Sequence, residues 1–198
     1  CEKLGAVKNI STNSYWVISQ EWGSNRFFAH KVTDEGVEHE PVISSAGYIN
    51  QGESMNAIGR MSISPNGTLL AVSYNFGDIQ LYNFQPITGK VSNAKGLMLN
   101  KPIYSCAFSE DGTKLYVKTK YYIYQYEVDK NTIEDIRDSR VEINGDGTLF
   151  DLSMERGPNG KIYIINSEKE YLDEISYPNL KGAACNFVKK SIYLNGKK

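Results

Sequence analysis

The sequence predicts an all-β fold, a β-propeller of four four-stranded antiparallel blades, on three observations. A turn-centred motif recurs along the 198 residues, the strands that follow it are apolar on both faces, and no stretch keeps the period of an amphipathic helix. The composition agrees, since 14 Tyr and 17 Gly favour strands and turns over helices.

The repeat is the strongest of the three. Ser64-Pro65-Asn66-Gly67-Thr68-Leu69-Leu70-Ala71-Val72 returns as Ser109-Glu110-Asp111-Gly112-Thr113-Lys114-Leu115-Tyr116-Val117, and more loosely as Gly157-Pro158-Asn159-Gly160-Lys161-Ile162-Tyr163-Ile164. Val72, Val117 and Ile164 stand 45 and 47 residues apart, which is the spacing of a propeller blade. A weaker copy, Thr12-Asn13-Ser14-Tyr15-Trp16-Val17-Ile18, places Val17 55 residues before Val72, with the extra length in the polar connection 46–57.

Each unit divides into four strands. Asn66-Gly67, Asp111-Gly112 and Asn159-Gly160 are hairpin signals of the type I′ kind, because Asn, Asp and Gly tolerate positive φ. Expected strands lie at 3–8, 15–20, 26–32 and 37–44; 58–64, 69–74, 78–84 and 91–99; 103–109, 114–119, 122–128 and 133–143; 149–155, 161–166, 171–176 and 186–194. The blades then cover about 1–47, 57–100, 102–144 and 148–196 of one propeller segment spanning 1–198. Residues 130–140 come nearest to a helical pattern and are read as a turn plus an edge strand. The second strands, such as Leu69-Leu70-Ala71-Val72 and Ile162-Tyr163-Ile164-Ile165, lack alternation, as strands covered on both faces do.

Charge and cysteine content exclude several functions. Lys plus Arg is 22 against 23 Asp plus Glu, a net charge of −1, so no bulk field favours nucleic acid. No apolar run is long enough to cross a membrane as a helix. Cys1, Cys106 and Cys185 have no metal-ribbon spacing, and Cys106, alternating with Tyr104 and Phe108, reads as core. Cys1 is compatible with a lipoprotein cysteine, but a fragment boundary is the simpler reading.

The ordered set Ile58-Gly59-Arg60-Met61-Ser62-Ile63-Ser64-Pro65-Asn66-Gly67, Leu81-Tyr82-Asn83-Phe84, Thr88-Gly89-Lys90-Val91-Ser92-Asn93 and Pro178-Asn179-Leu180-Lys181-Gly182-Ala183-Ala184-Cys185-Asn186-Phe187 resembles the WD40-like propeller region of Bacteroidetes secreted or surface proteins. Those proteins often end in a gliding-motility-associated, type IX secretion domain. The resemblance implies a secreted or cell-surface location. It also implies an open arc completed by the remaining blades of a parent propeller, although four blades are enough for a ring. No catalytic motif carries over.

Candidate site residues follow from position. Trp22 sits in the turn Glu21-Trp22-Gly23-Ser24-Asn25, where a loop aromatic is readily exposed. Arg60, Ser62, Ser105, Asp151 and Ser153 fall on the first strands, which line the channel of a propeller. Tyr122, Tyr124 and Tyr126 share one strand face and read as packing between blades, with a carbohydrate-stacking strip as the alternative. His30 and His39, with Glu38 and Glu40, lack an evident third ligand and read as surface residues. The expected function is a non-catalytic module that binds a protein or glycan, or acts as a scaffold, without metal or cofactor. The rival is a lactonase-like or other hydrolytic propeller, which needs clustered acid, His and Arg groups at a channel mouth.

Overall fold

The repeated Ser-x-Asx-Gly motif folds the same way at its two full copies. Ser64 O accepts from Gly67 N at 2.8 Å and Ser109 O from Gly112 N at 3.1 Å. Asn66 Oδ1 accepts from Ser64 Oγ, Thr68 N and Thr68 Oγ1, and Asp111 Oδ1 takes the same set from Ser109 and Thr113. Only the glycines lie at positive φ, 71° at Gly67 and 72° at Gly112. The turns are therefore type I turns followed by a left-handed glycine, not type I′; the carboxamide or carboxylate is used as an acceptor, and that use replaces the expected left-handed Asx. In the looser copy Gly157 stands where Ser would be, and Asn159 keeps one such bond, from Lys161 N at 3.4 Å.

The computed structural model describes residues 3–9, 11–75, 77–144, 153–165 and 170–196. The chain forms two compact units, Cys1–Asn100 and Lys101–Lys198, each holding two antiparallel sheets.

In the first unit, sheet one runs β1 (Leu4–Asn9), β2 (Ser14–Gln20), β3 (Arg26–Thr33), with β4 (Gly36–Val37) and β5 (Val42–Ser45) both pairing along β3. A continuous strand over 37–44 was expected. It breaks between Val37 and Val42, where Pro41 has no amide hydrogen for the ladder. Sheet two runs β6 (Met61–Ile63), β7 (Leu69–Tyr74), β8 (Asp78–Gln85), β9 (Lys90–Gly96). The sheets close on one another through Trp16, Ile18, Phe27 and Ala29 of sheet one and Leu70, Val72, Tyr82 and Phe84 of sheet two. Trp16 meets Phe84 edge-on at 6.5 Å and donates from Nε1 to Pro86 O at 2.7 Å, so this wedge is also hydrogen-bonded.

In the second unit, sheet three runs β10 (Ile103–Phe108), β11 (Lys114–Thr119), β12 (Ile123–Glu127), β13 (Val141–Asn144), and sheet four β14 (Met154–Arg156), β15 (Ile162–Ile164), β16 (Tyr171–Ile175), β17 (Phe187–Tyr193). Ala107, Tyr116 and Ile123 pack on Met154, Ile162, Ile164 and Ile175. Gln125 reinforces the seam: its Nε2 donates to Tyr116 Oη and Leu180 O, and its Oε1 accepts from Gly182 N.

Two expectations change here. Residues Ile133–Asp138 form a short helix, α1, ahead of β13, where a turn and edge strand were expected. Thr132 caps it by accepting from Asp135 N, and Ile136 anchors it by burial. Burial on both faces holds for β7 and β11 but not for β2, which alternates with Tyr15 at 49% exposure, nor for the β15 run, where Tyr163 is half-buried and Ile165 is 47% exposed.

Candidate functional site

A polar, hydrogen-bonded scaffold at one end of the first unit carries four exposed large apolar side chains. The turn 21–25 and the connection 46–57 are sewn together: Gly23 N donates to Asn50 O, Asn50 N to Ser24 O, and Ala46 N to Asn25 O. Glu21 closes the turn on itself. It accepts two 2.7 Å bonds from the Arg26 guanidinium and one from Ser24 Oγ at 2.6 Å, and the Arg26 bonds hold its carboxyl below the usual range.

Beneath the connection lies Lys3, 1% exposed, whose ammonium donates to Asn50 Oδ1, Asn56 O and Ile58 O and sits 5.1 Å from the centre of the Tyr74 ring. A buried ammonium is stable only with such acceptors, so Lys3 fixes the connection's path. Sheet two adds a second tether. Tyr48 N donates to Gln80 Oε1 at 2.9 Å and Tyr48 Oη to Asp78 Oδ2 at 2.9 Å, while Tyr82 Oη donates to Gln80 Oε1 and contacts Tyr74 Oη at 2.8 Å. Burial pushes Tyr74 up to about 12 and Tyr82 higher still, so both phenols stay neutral at physiological pH.

On this base, Trp22, Tyr48, Ile49 and Met55 are exposed by 41, 37, 50 and 53%. Loops fastened by their own backbones hold these side chains without the ordering cost that a mobile loop incurs on binding. The arrangement supplies contact area rather than a nucleophile and base. Among the described residues, no group of three or more His, Cys, Asp or Glu could hold a metal ion.

Each expected site residue has its own setting within its unit. Trp22 belongs to this surface. Arg60 is half-buried just before β6; its backbone N–H donates to Ser73 Oγ at 2.7 Å, and Lys3 links the Asn50 end of the connection to Ile58, two residues ahead of it. Ser62 is half-buried in β6 opposite Ala71. Ser105, in the second unit, is fully buried; its hydroxyl accepts from Met154 N and donates to Met154 O, joining sheets three and four. Ser153 is half-buried and takes Ile165 N on its carbonyl. Asp151 lies outside the described residues. Tyr124 and Tyr126 are buried, and Lys101 donates to Tyr124 Oη at 2.9 Å.

Tyr48, Ile49 and Met55 escaped the sequence reading because connections carry no period. The signal available was the lengthened step before Val72, a polar insertion that nonetheless contains three large apolar residues. The second unit has a cleft lined by Glu110, Asn159, Tyr177, Asn179 and Leu180, with Glu110 its one carboxylate.

No protein-family profile matches the sequence, and a search of curated proteins finds no relative. Solved structures do match. Hsv2 of Kluyveromyces lactis is 14% identical with a TM-score of 0.56, over 87% of this chain and 54% of that one. A provisionally assigned 6-phosphogluconolactonase of Bacteroides uniformis is 12% identical with a TM-score of 0.57, over 96% and 54%. A Bacteroides thetaiotaomicron protein of unknown function is 11% identical with a TM-score of 0.53, over 87% and 40%. The chain thus spans about half the length of the first two. Likeness at such low identity speaks to architecture alone, and on it and the four sheets the chain has the β-propeller fold, built from four-stranded antiparallel blades.

Proposed function

We propose that this chain is a non-catalytic propeller module that binds a protein partner through the 21–25 and 46–57 surface. One observation carries the reading: four large apolar side chains, Trp22, Tyr48, Ile49 and Met55, stand exposed on loops that backbone hydrogen bonds tie to one another. Aromatic and methionine side chains are enriched where proteins meet. Ile49 and Met55 favour a protein over a glycan, because sugars select flat rings flanked by polar groups. The resemblance of the ordered repeats to Bacteroidetes propeller regions supports a place on a secreted or cell-surface protein.

A photoreactive amino acid at position 22, with a control at position 87, tests the reading in the producing cells. Ile87 is 69% exposed and lies in the β8–β9 turn, away from the 21–25 turn. Discrete protein adducts through position 22, absent with Met55→Ala and absent from position 87, are expected. Equal adducts from both positions, or turnover of a lactone by the purified chain, would overturn it.

A further inference from the structure

The repeat gives every sheet two different faces. Aligning β2, β7, β11 and β15 on Val17, Val72, Val117 and Ile164 sets Trp16 level with Tyr116 and Tyr163, and Tyr15 level with Leu70 and Ile162. In the first unit the Trp16–Ile18 face of sheet one closes on the Leu70–Val72 face of sheet two. In the second unit the Tyr116 face of sheet three closes on the Ile162–Ile164 face of sheet four. The same pairing rule therefore operates twice: a Trp16-type face receives a Val72-type face.

Sheets one and four each keep one apolar face exposed, and the two are of opposite type. Sheet one presents its Val72-type face, with Leu4, Tyr15 and Ile43 exposed by 61, 49 and 52% and Val17, Phe28 and Val32 half-buried. The strand register makes this one continuous patch, since Tyr15 pairs with Val32 and Phe28 with Ile43. Sheet four presents its Trp16-type face, with Ile165 and Ile192 exposed by 47 and 37% and Tyr163, Leu172 and Val188 half-buried. Contiguous apolar sheet surface of this kind marks an interaction site. Charges of opposite sign border the two faces. Lys8 and Arg26 lie on the first, where Arg26 is already held by Glu21 at 2.7 Å; Glu155 and Glu174 lie on the second, where Glu174 already holds Lys161 at 2.7 Å.

We propose that the occupant of the sheet-one face is a second copy of this chain, docked head to tail through its sheet-four face. One chain carries both halves of a pairing that its own two units each use once, so a copy supplies what each open face lacks. Such a contact is heterologous: the surfaces joined are different patches of identical chains.

Sedimentation velocity over a range of concentrations, on the wild-type chain and on Val17→Glu and Ile165→Glu, provides the test. The wild type is expected to assemble. Each variant places a charge in an apolar contact and should weaken assembly by about 100-fold or more. An equimolar mixture of the two variants should recover a two-chain species, because one variant keeps an intact sheet-four face and the other an intact sheet-one face. A misfolded variant could not do this. Assembly that Val17→Glu abolishes and Ile165→Glu leaves intact would mean that sheet-one faces meet each other, and would overturn the proposal. A wild-type chain that stays monomeric throughout would also overturn it, and would assign both faces to sheets of a longer polypeptide.

Discussion

Glu174 is only 5% exposed, yet it remains an anion. Lys161 Nζ and Ser176 Oγ donate to its Oε1 at 2.7 Å, and Ser191 Oγ donates to Oε2 at 3.0 Å. Burial opposes ionisation, but these bonds outweigh it and hold the carboxyl below its ordinary 4.5. A depressed folded value means that the stabilisation is complete above the ordinary value and disappears as pH falls through the depressed one. The urea midpoint of the wild type should therefore exceed that of Glu174→Gln near about pH 7, and the gap should narrow as pH falls below the ordinary 4.5. A gap that persists or widens in acid would show that the carboxylate contributes no charge-dependent stability. At this scale the sequence was partly legible. Asn66 and Asp111 were recognisable as turn residues, but their choice of side-chain bonding over positive φ depends on Ser64, Ser109, Thr68 and Thr113 acting together.

Among elements, β7 and β11 coincide with their expected bounds because apolar runs flanked by turn signals define both ends. Helix α1 was missed because six residues are too few to show a period. Its cap was nevertheless written in Thr132-x-x-Asp135, where Thr132 Oγ1 also donates to Asp135 Oδ2 at 2.7 Å. Thr132→Ala should destabilise the chain by about 1 kcal/mol, read from the urea midpoint, without altering the β-sheet signature of the circular dichroism spectrum. No change in midpoint would show that burial of Ile136 alone sets the helix. The alternation in β2 was hidden for a different reason. Tyr15 and Val17 are as apolar as Leu70 and Val72, so composition cannot say which of them a neighbouring sheet covers.

For the molecule, repetition made the architecture readable and left the candidate site largely unread. Four strands per unit follow from a pattern that recurs about every 45 residues, whereas the 46–57 surface occurs once and is shaped by long-range bonds from Lys3, Gln80 and Asp78. Trp22 was legible as a loop aromatic; the three side chains that accompany it were not.

The two tryptophans of the chain report on both halves of the account. Trp16, 4% exposed, lies in the seam between sheets one and two, and Trp22, 41% exposed, stands on the candidate surface. Fluorine NMR of the chain labelled with 5-fluorotryptophan, in light and heavy water and with a soluble paramagnetic agent, separates them directly. One resonance, the one that Trp22→Phe removes, should show a solvent isotope shift and strong paramagnetic broadening, while the other shows neither. Two equally responsive resonances would contradict the closed seam, and two unresponsive ones would contradict the exposed surface.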